Sequence, residues 1–344
     1  MRICVIGAGA IGGFLGAKLA LAGEDVTLIA RGPHLDAIRN NGLKLVMKDG
    51  TEYIATNAKA TSNIEEAGPQ DVVILALKAH QIEPVAPQMP ALFGPETIVV
   101  TVQNGIPWWY FQRHGGEFDG RRLDSLDPTG VIEANIEGER IIGCVAYPAT
   151  TVTEPGVIHH VEGDRFPVGE LDGSESERAK TLCQALIGAG FRSRVIDNIR
   201  SEIWLKAWGN LSFNPVSALT HATLVDICRF PETRELAANM MKEAQEIAEK
   251  LGIEFRHTIE RRINGAEAVG AHKTSMLQDV EARRSLEVEA LIGAVIELGR
   301  LTNTPSPAID AVYACVKLLD ATMMRDRSRP GWRALEDSNL RPAA

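Results

Sequence analysis

Arg2-Ile3-Cys4-Val5-Ile6 is a short apolar run of the kind that makes a buried strand. The pattern then changes period. Ala10 to Ala22 predicts a helix, and Asp25 to Ile29 predicts a second strand, which together make a β-α-β unit. Lys44 to Ile54, with Asp49-Gly50 at its middle, predicts a hairpin. Asp71 to Leu77 and Thr97 to Val102 are apolar runs of strand length, suited to the centre of a parallel sheet. Shorter strands are expected at Ile141 to Ala149, Gly156 to His160, Phe166 to Gly169 and Arg192 to Ile196, with a helix over Ser174 to Ala189. After Ile196 strand signals stop and helical spacing continues to about Met324. Such a switch marks a domain boundary. The expected fold is therefore α/β: an N-terminal Rossmann-type dinucleotide-binding domain over 1–196, followed by an all-α C-terminal domain over 197–324. Residues 325–344, rich in Arg and Pro, are expected to be a disordered tail.

Composition narrows the function. The chain has 344 residues, 45% of them hydrophobic, with a formal net charge of -9. That balance disfavours a nucleic-acid partner. The apolar N-terminus is broken by Gly7, Gly9, Gly12, Gly13 and Lys18, so it reads as strand and helix, not as a signal peptide. No stretch is long and uncharged enough for a membrane span, and a cytoplasmic protein is expected. The five cysteines (Cys4, Cys144, Cys183, Cys228, Cys315) form no C-x-x-C pair and read as buried free thiols. No metal is expected: adjacent His159 and His160 point to opposite faces of a strand, and no clustered ligand spacing occurs.

Gly7-Ala8-Gly9-Ala10-Ile11-Gly12 is a G-x-G-x-x-G loop between a strand and a helix. In that setting Gly7 permits a tight turn, Gly9 lets a pyrophosphate approach the backbone, and Gly12 lets the helix pack on the strand. The helix N-terminus then faces phosphate. A turn without a ligand is the competing reading. The second strand ends Leu28-Ile29-Ala30-Arg31, without the acid that would bond the ribose hydroxyls of NAD. Arg31 suits a 2′-phosphate instead, so NADP(H) is the expected cofactor.

In the helical half, Lys206, Asn210 and Asn214 fall at i, i+4 and i+8, a polar stripe among Trp204, Trp208, Leu211 and Phe213. Shielded polar groups need partners, and the oxygens of a small acid would supply them. An exposed polar face would have the same spacing. Pro215 is expected to bend the stripe at Asn214. Ser275-Met276-Leu277-Gln278 fits a capping box at the start of a long helix, with Ser275 as the cap and as a possible carboxylate ligand. Glu287, among Leu286, Val288 and Leu291, is either a partner for Lys206 or a solvated charge.

These segments, with Leu77-Lys78-Ala79-His80-Gln81 and Gln103-Asn104-Gly105 between them, resemble the ketopantoate reductase (2-dehydropantoate 2-reductase) family from Met1 to about residue 320. The resemblance implies NADPH-dependent reduction of a 2-keto acid to a 2-hydroxy acid, with 2-dehydropantoate to pantoate in pantothenate biosynthesis as the family reaction. It implies Lys206 as proton donor to the C2 oxygen, and Asn210, Asn214 and Ser275 as substrate ligands. Lys78 and Asn104 fall on the cofactor side, with Asn104 also near the reacting carbon. Ala149 corresponds to a backbone contact with nicotinamide, and Glu287 to a glutamate near the nicotinamide ribose and substrate. The chain departs from the best-known bacterial form at Leu224, where a further substrate asparagine stands, and over Tyr147-Pro148-Ala149-Thr150. Two alternatives follow: a related reductase with another 2-keto acid, or a non-catalytic NADP(H) sensor. The expected partner is a small 2-keto acid, with a homodimer possible and no nucleic acid or membrane.

Overall fold

The computed structural model describes residues 1–327 and divides the chain into two compact units, Met1–Ile203 and the chain from Trp204 onward.

The first unit is built on a β-α-β start. β1 (Arg2–Ile6), α1 (Ala10–Leu21) and β2 (Asp25–Ile29) are followed by α2 (Gly32–Asn41). Next come β3 (Leu43–Val46), β4 (Glu52–Ala55), β5 (Lys59–Thr61), β6 (Gln70–Leu75) and β7 (Phe93–Thr101). A short α3 (Val131–Asn135) precedes β8 (Ile141–Cys144), β9 (Ala149–Glu154), β10 (Val157–Glu162), β11 (Val168–Glu170) and α4 (Glu177–Gly188). Seven strands form one sheet in the order β11-β8-β7-β6-β1-β2-β5. All its pairings are parallel except β11 on β8. The chain winds from β1 outward on one side and then crosses to β6 on the other. That reversal opens a crevice at the carboxyl ends of the strands.

The hairpin of β3 and β4 pairs as expected, but it belongs to a second sheet of order β4-β3-β10-β9. Helix α1 lies between the two sheets, touching β1 and β2 on one side and β3, β4, β9 and β10 on the other. This explains its sequence, AIGGFLGAKLAL, which is apolar on all sides instead of along one stripe. Phe14, Leu15 and Leu19 are fully buried, and each such burial stabilises by roughly 1.5–3 kcal/mol. The small residues set the spacing. A Cβ on Gly13 would lie 2.9 Å from Ile158, and one on Gly16 would lie 2.4 Å from Leu28.

Two local expectations fail here. Arg192 to Ile196 is not a strand: it makes only isolated bridges, Arg165 with Arg192 and Val168 with Val195. Backbone bonds join it to Asp164, Phe166 and Val168, but the Phe166 carbonyl accepts from the Ser193 hydroxyl at 2.6 Å, and no ladder bond to that carbonyl continues the pairing. Ile141 to Ala149 is not one strand either, because pairing stops at Cys144 and restarts in the other sheet at Ala149.

α5 (Ile199–Thr220) opens within the first unit. Its first turn is held by buried Arg200, which donates to the carbonyls of Tyr110 (2.7 Å), Gln112 (2.8 Å) and Leu171. The division between the two compact units falls inside this helix, after Ile203. The second unit continues with α6 (Leu224–Arg229), α7 (Pro231–Lys250), α8 (Ile259–Val269), α9 (Ser275–Glu281), α10 (Ala294–Leu301) and α11 (Pro307–Arg327). Helix α7 is its hub, packing on α6, α8, α10 and α11. α11 carries helix through Arg325, Asp326 and Arg327, past the expected end at Met324. The rest of the expected tail, residues 328–344, lies outside the described residues.

Candidate active site

The first unit holds the phosphate-type loop. Gly7 has φ +98°, a backbone angle favouring glycine, and a Cβ there would sit 2.8 Å from the Ala76 carbonyl oxygen. A Cβ on Gly12 would fall 2.1 Å from the Gly7 carbonyl oxygen, so helix and loop meet at contact distance. Gly9 is different: nothing lies within 4 Å of where its Cβ would be. It caps α1 without any side-chain cap bond, so no cap side chain covers the start of the helix. The loop is tied down from behind, since the N–H groups of Gly7 and Ala8 donate to the Ile29 carbonyl at 3.2 and 3.0 Å.

A cleft of about 810 Å³ opens in front of this loop. Gly7, Ala8, Gly9 and Arg31 all line it. Arg31 stands two residues past the end of β2 and caps α2 in extended conformation, with its side chain exposed. The open space at Gly9, the uncapped helix start and a free-standing arginine where the second strand ends fit a phosphorylated dinucleotide. Ala10, Ile11 and Gly12 stand behind the loop in α1 and do not line the cleft. Lys78, Asn104 and Ala149 do not line it either. Lys78 and Asn104 are half-buried on the turns that follow β6 and β7, and Ala149 is the first residue of β9.

His34 is a cleft residue that no sequence pattern marked. Its Nε2 donates to the Ala8 carbonyl at 2.7 Å, and its Nδ1 accepts from the Gly156 N–H at 3.0 Å. The two contacts require a neutral ring with the proton on Nε2. Through it the glycine loop is joined to the β9–β10 turn at Gly156, and Val152, Thr153 and Glu154 at the end of β9, with Pro155 of the turn, line the same cleft.

The second unit carries the polar stripe. Lys206 and Asn210 are half-buried and Asn214 is buried, beside fully buried Trp204, Trp208 and Leu211. Trp208 is anchored by its Nε1 donating to the Met241 carbonyl at 2.6 Å. The stripe is therefore not an exposed polar face. α5 stays helical through Pro215 to Thr220. Ser275 does not cap α9. Thr274 does, accepting from the Leu277 N–H at 3.2 Å. Gln278, the expected partner in a capping box, donates to the Lys273 carbonyl instead. The helix is short, ending at Glu281. Freed from capping, the Ser275 hydroxyl accepts from Asn214 Nδ2 at 3.3 Å. The fold thus joins two of the expected substrate ligands, which lie 61 residues apart in the chain.

A Cβ on Gly209, one turn from Lys206, would fall 2.5 Å from an Arg262 guanidinium nitrogen of α8, so glycine there makes room for that side chain. Glu287 is half-buried just before a π turn formed by Glu289–Gly293.

Comparison with known proteins agrees with this layout. Residues 3–173 match the model for ketopantoate reductase PanE/ApbA, and residues 198–320 match that for its C terminal. The chain belongs to the ketopantoate reductase family. It is 53% identical to a 2-dehydropantoate 2-reductase of Mesorhizobium japonicum, over 93% of this chain and 98% of the relative. A 2-dehydropantoate 2-reductase of Archaeoglobus fulgidus is 30% identical over 87% of this chain and 90% of its own. Among solved structures, a Ralstonia solanacearum chain with a provisional ketopantoate reductase label superposes with a TM-score of 0.89. It is 40% identical, covering 93% of this chain and 98% of its own. Ketopantoate reductases thus share both halves of this chain, the Rossmann-type unit and the helical unit.

Proposed function

We propose that this chain reduces 2-dehydropantoate to pantoate with NADPH. The observation that carries the reading is identity of 53% along almost the whole chain to a 2-dehydropantoate 2-reductase, spanning both the glycine loop and the Lys206 stripe.

In this reading Gly7, Ala8 and Gly9 and the start of α1 receive the pyrophosphate, Arg31 pairs with the 2′-phosphate, and Lys78, Asn104, Ala149 and Glu287 serve the nicotinamide end. NADPH bound there supplies the hydride. Asn210, Asn214 and Ser275 hold the keto acid by its oxygens. Lys206 donates a proton to the oxygen on C2 as that oxygen gains charge, and regains it from water. The products are the 2-hydroxy acid and the oxidised cofactor. The Rossmann-type unit is thus assigned to NADP(H) and the helical unit to substrate and proton transfer. A sensor without turnover would not need a lysine set among buried tryptophans on a stripe of amides.

Leu224 supports a second reading, a related 2-keto acid. It begins α6, its N–H donating to the His272 carbonyl at 3.0 Å, and it offers no side-chain hydrogen bond to substrate. NADPH oxidation measured against a panel of 2-keto acids separates the two. A wide margin for 2-dehydropantoate supports the first reading, and equal or higher rates on another acid supports the second. We place the enzyme in the cytoplasm, consistent with NADPH use and free thiols. Among the described residues no helix is long and apolar enough to cross a membrane. A homodimer is proposed as its state, to be checked by sedimentation.

A further inference from the structure

Glu287 precedes a single π turn, Glu289–Gly293, that leads into α10. Such turns are rare, insert one residue into the helical register, and gather at functional sites. Here the turn has a visible support. On α11, Tyr313, Lys317 and Asp320 fall at i, i+4 and i+7 and share one face. Asp320 Oδ1 accepts from the Leu286 N–H at 2.9 Å. The Tyr313 hydroxyl faces both carboxylate oxygens of Glu289, at 3.0 and 3.2 Å. Lys317 Nζ donates to Glu289 at 2.8 Å and to the Tyr313 hydroxyl at 2.7 Å. Those bonds, to Glu289 first, raise the Lys317 ammonium above its ordinary range, so it stays charged at any working pH. Gly293 is part of the same device: a Cβ there would fall 2.1 Å from a Glu289 oxygen.

The residue before Glu287 and the residue two beyond it are thus both pinned to one helix, by backbone on one side and by side chain on the other. We propose that the Tyr313, Lys317 and Asp320 face of α11 is a splint that fixes the direction of Glu287 during reduction. These three are positioning residues, and the proposal rests on the reading of Glu287 as a group serving cofactor and substrate. A displacement of about 1 Å at such a group can cost up to about a hundredfold in rate. A splint that acts at one remove should cost less.

The test is a double-mutant cycle on the full chain with NADPH and the preferred 2-keto acid. Asp320→Ala and Tyr313→Phe are each expected to lower kcat about three- to tenfold, with NADPH affinity at the glycine loop little changed. Asp320→Asn keeps the accepting oxygen and should restore most of the rate. Tyr313→Phe removes only a hydroxyl, so it reports even if Asp320→Ala unfolds. In a Glu287→Gln background the same substitutions should have almost no further effect on kcat. Full losses persisting in that background would overturn the splint, because they would act through something other than Glu287. Unchanged kcat in both Tyr313→Phe and Asp320→Ala would overturn it as well. If Glu287→Gln alone leaves kcat untouched, the role of Glu287 fails and the splint fails with it, while the role of Lys206 stands.

Discussion

At the scale of single residues, the proposed reaction divides the work between two side chains. Lys206→Ala is expected to keep NADPH binding and lose about a hundredfold to ten-thousandfold in kcat. Lys206→Met controls for packing, since it keeps the length of the side chain and removes the charge. Retention of more than about a tenth of the rate in either, with chemistry rate-limiting, would exclude Lys206 as the proton donor. Arg31→Ala should weaken NADPH binding and leave NADH binding nearly unchanged, because only NADPH carries the phosphate. A fluorescence titration with both cofactors checks this, and equal weakening of both would remove the 2′-phosphate contact. As candidates both were legible in the sequence, Lys206 by its spacing within α5 and Arg31 by its place just after the second strand. His34 was not. Its partners are Ala8 and Gly156, the second of them 122 residues away, and no local spacing encodes a contact of that range.

At the scale of elements, the sequence decides the kind of structure more securely than its partners. The apolar helix α1 is helical by pattern, but its glycines make sense only with a sheet on each side. Gly16→Val places a branched side chain where a Cβ already lies 2.4 Å from Leu28. Overpacking of this kind costs about 1–3 kcal/mol, more than the gain from replacing a helical glycine, about 0.5 kcal/mol or less for a branched residue. The midpoint of urea unfolding should fall without a change in slope. An equal or higher midpoint would mean that the seven-stranded sheet is not in contact with the helix at this point. At the other end of the chain, the signal around Ser275 was read correctly as a helix start and displaced by one residue as to the cap. Thr274 and Ser275 are chemically alike, and only the tertiary contact with Asn214 shows which hydroxyl is engaged elsewhere.

At the scale of the whole molecule, the cysteines report on both units together. Four are buried, and Cys315 on α11 is exposed, which the expectation of buried thiols did not foresee. Burial pushes the Cys4 thiol up to about 12 and Cys228 to about 11, so neither forms the reactive thiolate near neutrality. A thiol titration of the native protein should find Cys315 alone reacting quickly, and the unfolded protein should expose all five. Fast reaction of Cys4 would contradict the packing of β1. The same shift has a sign in stability. The contribution of Cys4 is complete below its ordinary value of 9.0 and is lost as pH rises toward 12. By itself, the sequence determined the β-α-β start, the helical second half, the glycine loop, Arg31 and the Lys206 stripe. All of these depend on periodicity or on offsets within a single element, where covalent geometry links position to direction. Tertiary structure alone decided the second sheet around α1, the His34 bridge, the meeting of Asn214 with Ser275, and the α11 face beneath Glu287. Each joins residues distant in the chain, and such contacts are selected by the packing of whole elements, which no local spacing records.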